Sequence, residues 1–376
     1  MKNPLSNLFK KKDGAAPAVT PPSTKGKKEG FFSKFIKNRL GKSSVKGEEI
    51  VGVDLSANEI RLAQISSNKA NQWVLEKFYT HKFEGIPEGG TVLEHPDKVA
   101  DELKLALQKS KIATSNAAIA IPVTSAIIRV VTSPLMTDEE LNNAVKTDSL
   151  WENLVQLTDN LDDYSIFHQV INRNQKENTM DILFVASKLS DINSYTSIIK
   201  SSGLNPVIID VKCFALKSAV DQINQISQKS EDANLTAVLE FGLDENYLMI
   251  LYDNNPIITD IFLRGQDRQI LKSSQVQEEK EGLVRRFVTQ VKQAVQDFET
   301  KYEKRIRNIK VVSDLENIED YLSIFRQNLV NIGFKTFDPI DGLQIPQQLE
   351  QSVNLQNRSY LSTVIGLAFR KLDVFG

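Results

Sequence analysis

From residue 50 onward the chain reads as short apolar stretches of two different periods. Ile50–Leu55 is a nearly continuous apolar run. Glu59–Ser66 alternates Ile60, Leu62 and Gln64 against Arg61, Ala63 and Ile65, the period of two that predicts a strand. Trp73–His81 fits a third strand. Ala117–Ile121, Ala126–Val131, Asp181–Ser187 and Pro206–Asp210 add strands rich in branched apolar residues. Between them the period lengthens to that of a helix. Pro96–Lys109 places Val99, Leu103, Ala106 and Leu107 on one face. A helix opens at Thr137, where threonine caps and Asp138, Glu139 and Glu140 supply the acidic first turn that a helix dipole favours. Asp191–Ser201 is a helix closed by Gly203, and Phe214–Ile223 is another.

The polar stretch Asn224–Asn234 reads as a linker, after which the pattern restarts. Leu235–Phe241, Tyr247–Tyr252 and Pro256–Leu263 predict three strands. Gly282–Tyr302 predicts a long helix with Leu283, Phe287, Val291, Ala294, Val295 and Phe298 on one face. Ile309–Val312 is a strand, Ile318–Val330 a helix, and Tyr360–Leu372 a closing helix. The strand–turn–strand unit thus occurs twice, from residue 50 and from residue 235. The pattern implies an α/β chain of two similar halves with a cleft between them.

Charge changes this picture at the N-terminus. The whole chain has a net charge of −2, yet residues 1–49 alone carry about +8. Residues 1–28 are poor in large apolar side chains and are predicted to be disordered. Within this basic arm of residues 1–49, Phe31, Phe32, Phe35, Ile36 and Leu40 recur at helical spacing with Lys34, Lys37 and Arg39 between them. That 31–40 segment suits contact with an anionic membrane surface or a partner; the plainer reading is a solvated linker. No apolar stretch is long enough to span a bilayer, and no apolar h-region follows the basic start. The single cysteine, Cys213, lies in an apolar run and reads as a core residue. His81, His95 and His168 lack metal-ligand spacing. The arm has no aromatic-interleaved platform, which argues against nucleic acid. Trp73 and Trp151 read as core or groove residues.

The segment Val51-Gly-Val-Asp-Leu-Ser-Ala-Asn-Glu-Ile-Arg-Leu62 resembles the first phosphate hairpin of the actin/FtsA superfamily as it occurs in the PilM family of type IV pilus assembly proteins. Further segments resemble that family in the same order. They are Ala117–Pro122 and Ile128–Pro134, then Thr137–Glu140. Ser201–Val211 and Val238–Leu243 follow, and Ser362–Arg370 closes with Gly366-Leu-Ala. The resemblance covers roughly residues 50–372. It implies an actin-like two-domain fold, with a first domain at 50–234, a small inserted subdomain near 114–204, and a second domain at 235–376 ending in the closing helix.

The resemblance also implies a function. Family members lie on the cytoplasmic face of the inner membrane and bind a short N-terminal peptide of a PilN-like bitopic protein, with a PilO/PilP complex beyond it. Many bind ATP. Carried onto this chain, the nucleotide positions are Asp54, Ser56, Asn58, Glu240, Gly242, Gly265 and Ser313, with Asp54 and Glu240 as the acids for Mg²⁺. The peptide groove would draw on Ala126–Val131 and on the helix that follows Thr137, with Arg129 the first residue to test. Several positions depart from the family. Ser56 replaces a glycine, Glu240 an aspartate, and Asp244 and Glu245 replace small or hydroxyl residues. Val311-Val-Ser-Asp-Leu315 stands where a Gly-Gly pair is usual. Two carboxylates beside a triphosphate repel it unless a metal or a lysine intervenes. The chain is therefore read as a scaffold with a degenerate nucleotide cleft and no assigned catalytic residue, at most a weak ATPase. The alternative is an FtsA-like membrane-tethered ATPase or polymer.

Overall fold

A computed structural model describes residues 49–70, 72–86, 91–145, 160–227, 235–253, 255–261, 267, 270–271, 277–315 and 317–370. The arm segment Phe31–Leu40, Trp151 and Gly265 lie outside the described residues.

Three strands open the fold: β1 (Ile50–Leu55), β2 (Glu59–Ser67) and β3 (Trp73–Lys82). Helix α1 (Pro96–Ser110) follows, then β4 (Asn116–Ile121), β5 (Ala126–Pro134) and α2 (Asp138–Ala144). Next come β6 (Tyr164–Asn174), β7 (Thr179–Lys188), α3 (Leu189–Ser201), β8 (Asn205–Val211) and α4 (Lys212–Ser227). The second half has β9 (Leu235–Phe241), β10 (Asn246–Tyr252), β11 (Asn255–Asp260), α5 (Gln277–Tyr302), β12 (Asn308–Val312), α6 (Ile318–Asn328) and β13 (Gly333–Thr336). It closes with α7 (Gln347–Val353) and α8 (Ser362–Ala368).

The two halves repeat one topology. The first sheet runs β3-β2-β1-β4-β8 and the second β11-β10-β9-β12-β13. In each, three antiparallel strands are followed by parallel neighbours. A third sheet, β5-β7-β6, is spliced between β4 and α3. It falls inside the 114–204 range, whose flanking strands β4 and β8 belong to the first sheet. Strand β7 explains how it is held, because successive side chains point to opposite faces. Leu183 and Val185 join the core of the first half, whereas Ile182, Phe184 and Ala186 pack with Met136 and Leu141 on the other side.

Three elements carry no clear periodic signal in the sequence: β6, β13 and α7. Strand β6 is mostly half-buried and pairs through a register shift between Val170 and Asn172, so its apolar positions do not alternate cleanly. The closing helix α8 also differs from its place in chain order. It packs against β1, β2 and α4 of the first half rather than on the second sheet. Its residues are buried throughout, and Gly52 and Gly366 make the approach possible. Cys213 is fully buried and burial pushes its thiol well up, so it is an inert core residue.

Candidate functional site

The C-terminal ends of β1 and β9 face each other across the join between the halves, and charged side chains converge there. Asp54 is Cα partner to Arg61 across the β1–β2 pair. Opposed residues of such a pair project to the same face, so Arg61 Nη1 donates to Asp54 Oδ2 at 2.9 Å. Its Nε donates to Glu59 at 2.6 Å, and its guanidinium lies 4.7 Å from the Tyr360 ring. Lys212, the first residue of α4, places Nζ 3.4 Å from Asp54 Oδ1. Asp54, Arg61 and Lys212 are all buried. Burial works against the Asp54 charge, but Lys212 and Arg61 outweigh it and hold the carboxyl below its ordinary value.

The second half contributes acids. Glu240, on β9, accepts a hydrogen bond from the Tyr247 hydroxyl. Glu245 accepts from the Val123 N–H at 3.2 Å, which ties the β9–β10 turn to the first half. Asp314 Oδ1 accepts from the Leu243 N–H at 2.8 Å. A side chain at Gly242 would put its Cβ 2.1 Å from that same oxygen. The glycine that a phosphate cradle needs for close backbone approach thus admits the chain's own carboxylate.

The cavity that remains is about 20 Å³, lined among others by Asp54, Arg61, Lys212, Glu240, Asp244 and Tyr360. That is room for about one water. Ser313 lines it, but its loop is tied down. The Ser313 N–H donates to Ser359 Oγ at 3.0 Å, and Asn357 Nδ2 donates to the Ser313 and Leu315 carbonyls at 2.8 and 3.2 Å. Ser56 is buried in the β1–β2 turn. Its hydroxyl donates to the Glu59 carbonyl and accepts from the Glu59 N–H. Asn58 is exposed on that turn, and its carbonyl accepts from Phe83. Among the described residues, no group of three His, Cys, Asp or Glu side chains could hold a metal ion.

Asp54, Glu240, Gly242 and Ser313 are therefore brought together, Ser56 and Asn58 lie in the adjoining turn, and Arg129 is remote on β5. Sequence reading missed Lys212. The available signal was a lysine inside the apolar run Val211–Leu216, where a buried charge requires a partner.

Burial pushes Glu240 up to about 7 and Glu245 up to about 8, from an ordinary value of 4.5. Between about 4.5 and 8 the folded protein binds more protons than the unfolded chain. Stability contributed by these groups is complete below that window and is lost as pH rises through it. The urea midpoint should fall between pH 5 and pH 9, and Glu245→Gln should flatten the fall. A midpoint that climbs over this range contradicts the assignment.

A family model described as type IV pilus assembly protein PilM matches residues 52–268, more than half of the chain. Among solved structures, a PilM–PilN type IV pilus biogenesis complex contains a chain of similar fold. The TM-score is 0.64 at 17% identity, over 86% of this chain and 98% of that one. A Bacteroides thetaiotaomicron protein with an actin-like ATPase fold and unknown function has TM-score 0.42 at 7% identity, over 78% of this chain and 95% of that one. The ethanolamine utilization protein EutJ from Carboxydothermus hydrogenoformans has TM-score 0.41 at 12% identity, over 90% and 99%. No curated protein matches the sequence.

Proposed function

The chain belongs to the PilM family of type IV pilus assembly proteins and has its actin-like fold, and on that premise we propose that it is a scaffold that captures a membrane-anchored assembly protein by an extended peptide. The partner is the N-terminal cytoplasmic segment of a PilN-like bitopic protein, which places the chain at the inner-membrane face with any PilO/PilP-type complex reached indirectly. The family match over residues 52–268 carries this reading. The inserted sheet supports it. Strand β5 is an edge of that sheet, and sheet edges accept extended peptides through main-chain hydrogen bonds. On it Arg129 is exposed, and its guanidinium bonds only its neighbour's carbonyl, Ile128 O at 2.9 Å, among the described residues.

The test is fluorescence anisotropy with a labelled peptide copied from the N-terminus of a PilN-like bitopic protein of the same organism. Binding is expected, and Arg129→Glu should weaken it by about tenfold, about 1.4 kcal/mol, without moving the melting temperature. Filaments formed with ATP, together with no peptide binding, would favour the FtsA-like polymer instead.

The same proposal treats the cleft as closed to Mg-ATP. Ligand sites for molecules of that class enclose about 300–1,000 Å³, against about 20 Å³ here. Mg²⁺ would have to displace two cations from Asp54, and a phosphate would meet Asp314 at the Leu243 N–H. The residues as arranged do not fit the group. Calorimetry with Mg-ATP on the full chain should give no dissociation constant below about 1 µM, or about −8 kcal/mol. A tighter value refutes the closed-cleft reading while leaving peptide capture standing.

A further inference from the structure

A second cavity lies at the other end of the second sheet from the cleft. It encloses about 450 Å³ and is lined by Leu235–Ala237 at the start of β9, by Lys304–Asn308, and by Asn224 and Lys310. Ala237 pairs with Ile309, whereas Glu240 pairs with Val312. Five residues separate Ala237 from Gly242 along β9, so at about 3.3 Å per residue the cavity and the cleft are roughly 16 Å apart.

Among the described residues its chemistry is one-sided. The segment Lys301–Lys310 carries Lys301, Lys304, Arg305, Arg307 and Lys310 against a single acid, Glu303. This stands on a body whose net charge is negative. Lys304, Arg305 and Arg307 are exposed and line the cavity, and among the described residues none of the three meets a carboxylate. Glu299 Oε1 is turned to the backbone, accepting the Ile306 N–H at 2.8 Å. Lys310 Nζ is held from below by Asn224 Oδ1 at 3.1 Å.

Basic residues after a helix often only complement its C-terminal dipole. That explains Lys301 and Lys304, but the effect fades within the last turn, and Arg307 and Lys310 lie five and eight residues past Tyr302. Arg307 precedes β12 and Lys310 is its third residue, where no dipole asks for a cation. Like charges gathered on a concave wall repel one another unless an anion offsets them. The size matches a small-molecule site. Two guanidiniums with two ammonium groups suit phosphate, which arginine binds through a planar fork and lysine as a point charge. Among the described residues no aromatic side chain lines the cavity, so recognition rests on charge and not on stacking of a base.

We propose that this cavity is a second ligand site, separate from the inter-domain cleft, for a small soluble anion bearing two or more phosphate groups.

Inorganic tripolyphosphate is the probe, titrated calorimetrically into the full chain at low and moderate salt. Binding is expected at low salt and should weaken as sodium chloride is raised. Arg305→Gln with Arg307→Gln should weaken it at least tenfold, with unchanged circular dichroism and unchanged anisotropy toward the PilN-like peptide. A parallel arm uses phosphatidylglycerol vesicles in flotation. No heat with tripolyphosphate, equal affinity in the double variant, or vesicle binding that the double variant abolishes while tripolyphosphate fails to bind, each overturns the proposal. The peptide assay fails or succeeds independently, so loss of one reading does not carry the other.

Discussion

Replacing Lys212 with methionine should destabilise the protein by about 3–5 kcal/mol, the cost of leaving buried charges without their counter-ion. Lys212 is 5% exposed and its Nζ is 3.4 Å from Asp54 Oδ1. Burial opposes its charge, but Asp54, Asp244 and Glu245 outweigh this and raise its pKa. Methionine keeps the volume and the helical preference and removes only the charge. Arg61 still holds Asp54, so the loss falls mainly on the acids of the second half. Glu240 and Glu245 titrate near 7 and 8. Below that range protonation relieves them, so the destabilisation should be larger at pH 9 than at pH 6. Urea unfolding at the two pH values measures it. A loss under about 1 kcal/mol at pH 9 would mean that the lysine is solvated and is not what neutralises the cleft.

Gly366→Ala should cost about 3 kcal/mol, the upper range for forcing an extra carbon into a packed core. A Cβ there would lie 1.8 Å from the Ala215 carbonyl oxygen and 2.7 Å from its carbon. Both obstacles are backbone of α4, which no rotamer change can move, so α8 and α4 must move apart. Gly282→Ala is the control. It sits in α5 with nothing within 4 Å of its would-be Cβ, and alanine should stabilise that helix by about 0.5–1 kcal/mol. Equal thermal melts for Gly366→Ala and the parent chain would show that α8 does not make this approach.

The same two residues mark where sequence reasoning succeeds and where it stops. Gly366 was visible within the Gly-Leu-Ala motif that resembles the family's closing helix. Which backbone it lets in, Ala215 from 151 positions earlier, was not. Lys212 was overlooked because its apolar neighbours Val211 and Cys213 made the run read as plain core. Asp54 and Glu240 were singled out only through the resemblance to the family's two hairpins. The apolar periods also gave most strands of both sheets, since alternation reports directly on which face is buried. They missed β13, which is only four residues long, and β6 and α7, whose mixed burial leaves little period to detect.

By itself, then, the sequence determined the repeated strand order, which follows from local patterns in which each residue's neighbours along the chain decide its face; the acids Asp54 and Glu240 and the motif around Gly366 came from the resemblance to the family. Only the tertiary structure decided what meets in the cleft. Asp54 is joined to Lys212 across 158 positions and Leu243 to Asp314 across 71, and periodicity states that a side chain is buried without stating against what. The meeting of charges between the halves and the return of α8 to the first half are set by such long-range pairings. Their stability comes from desolvation and close packing, which no local pattern records.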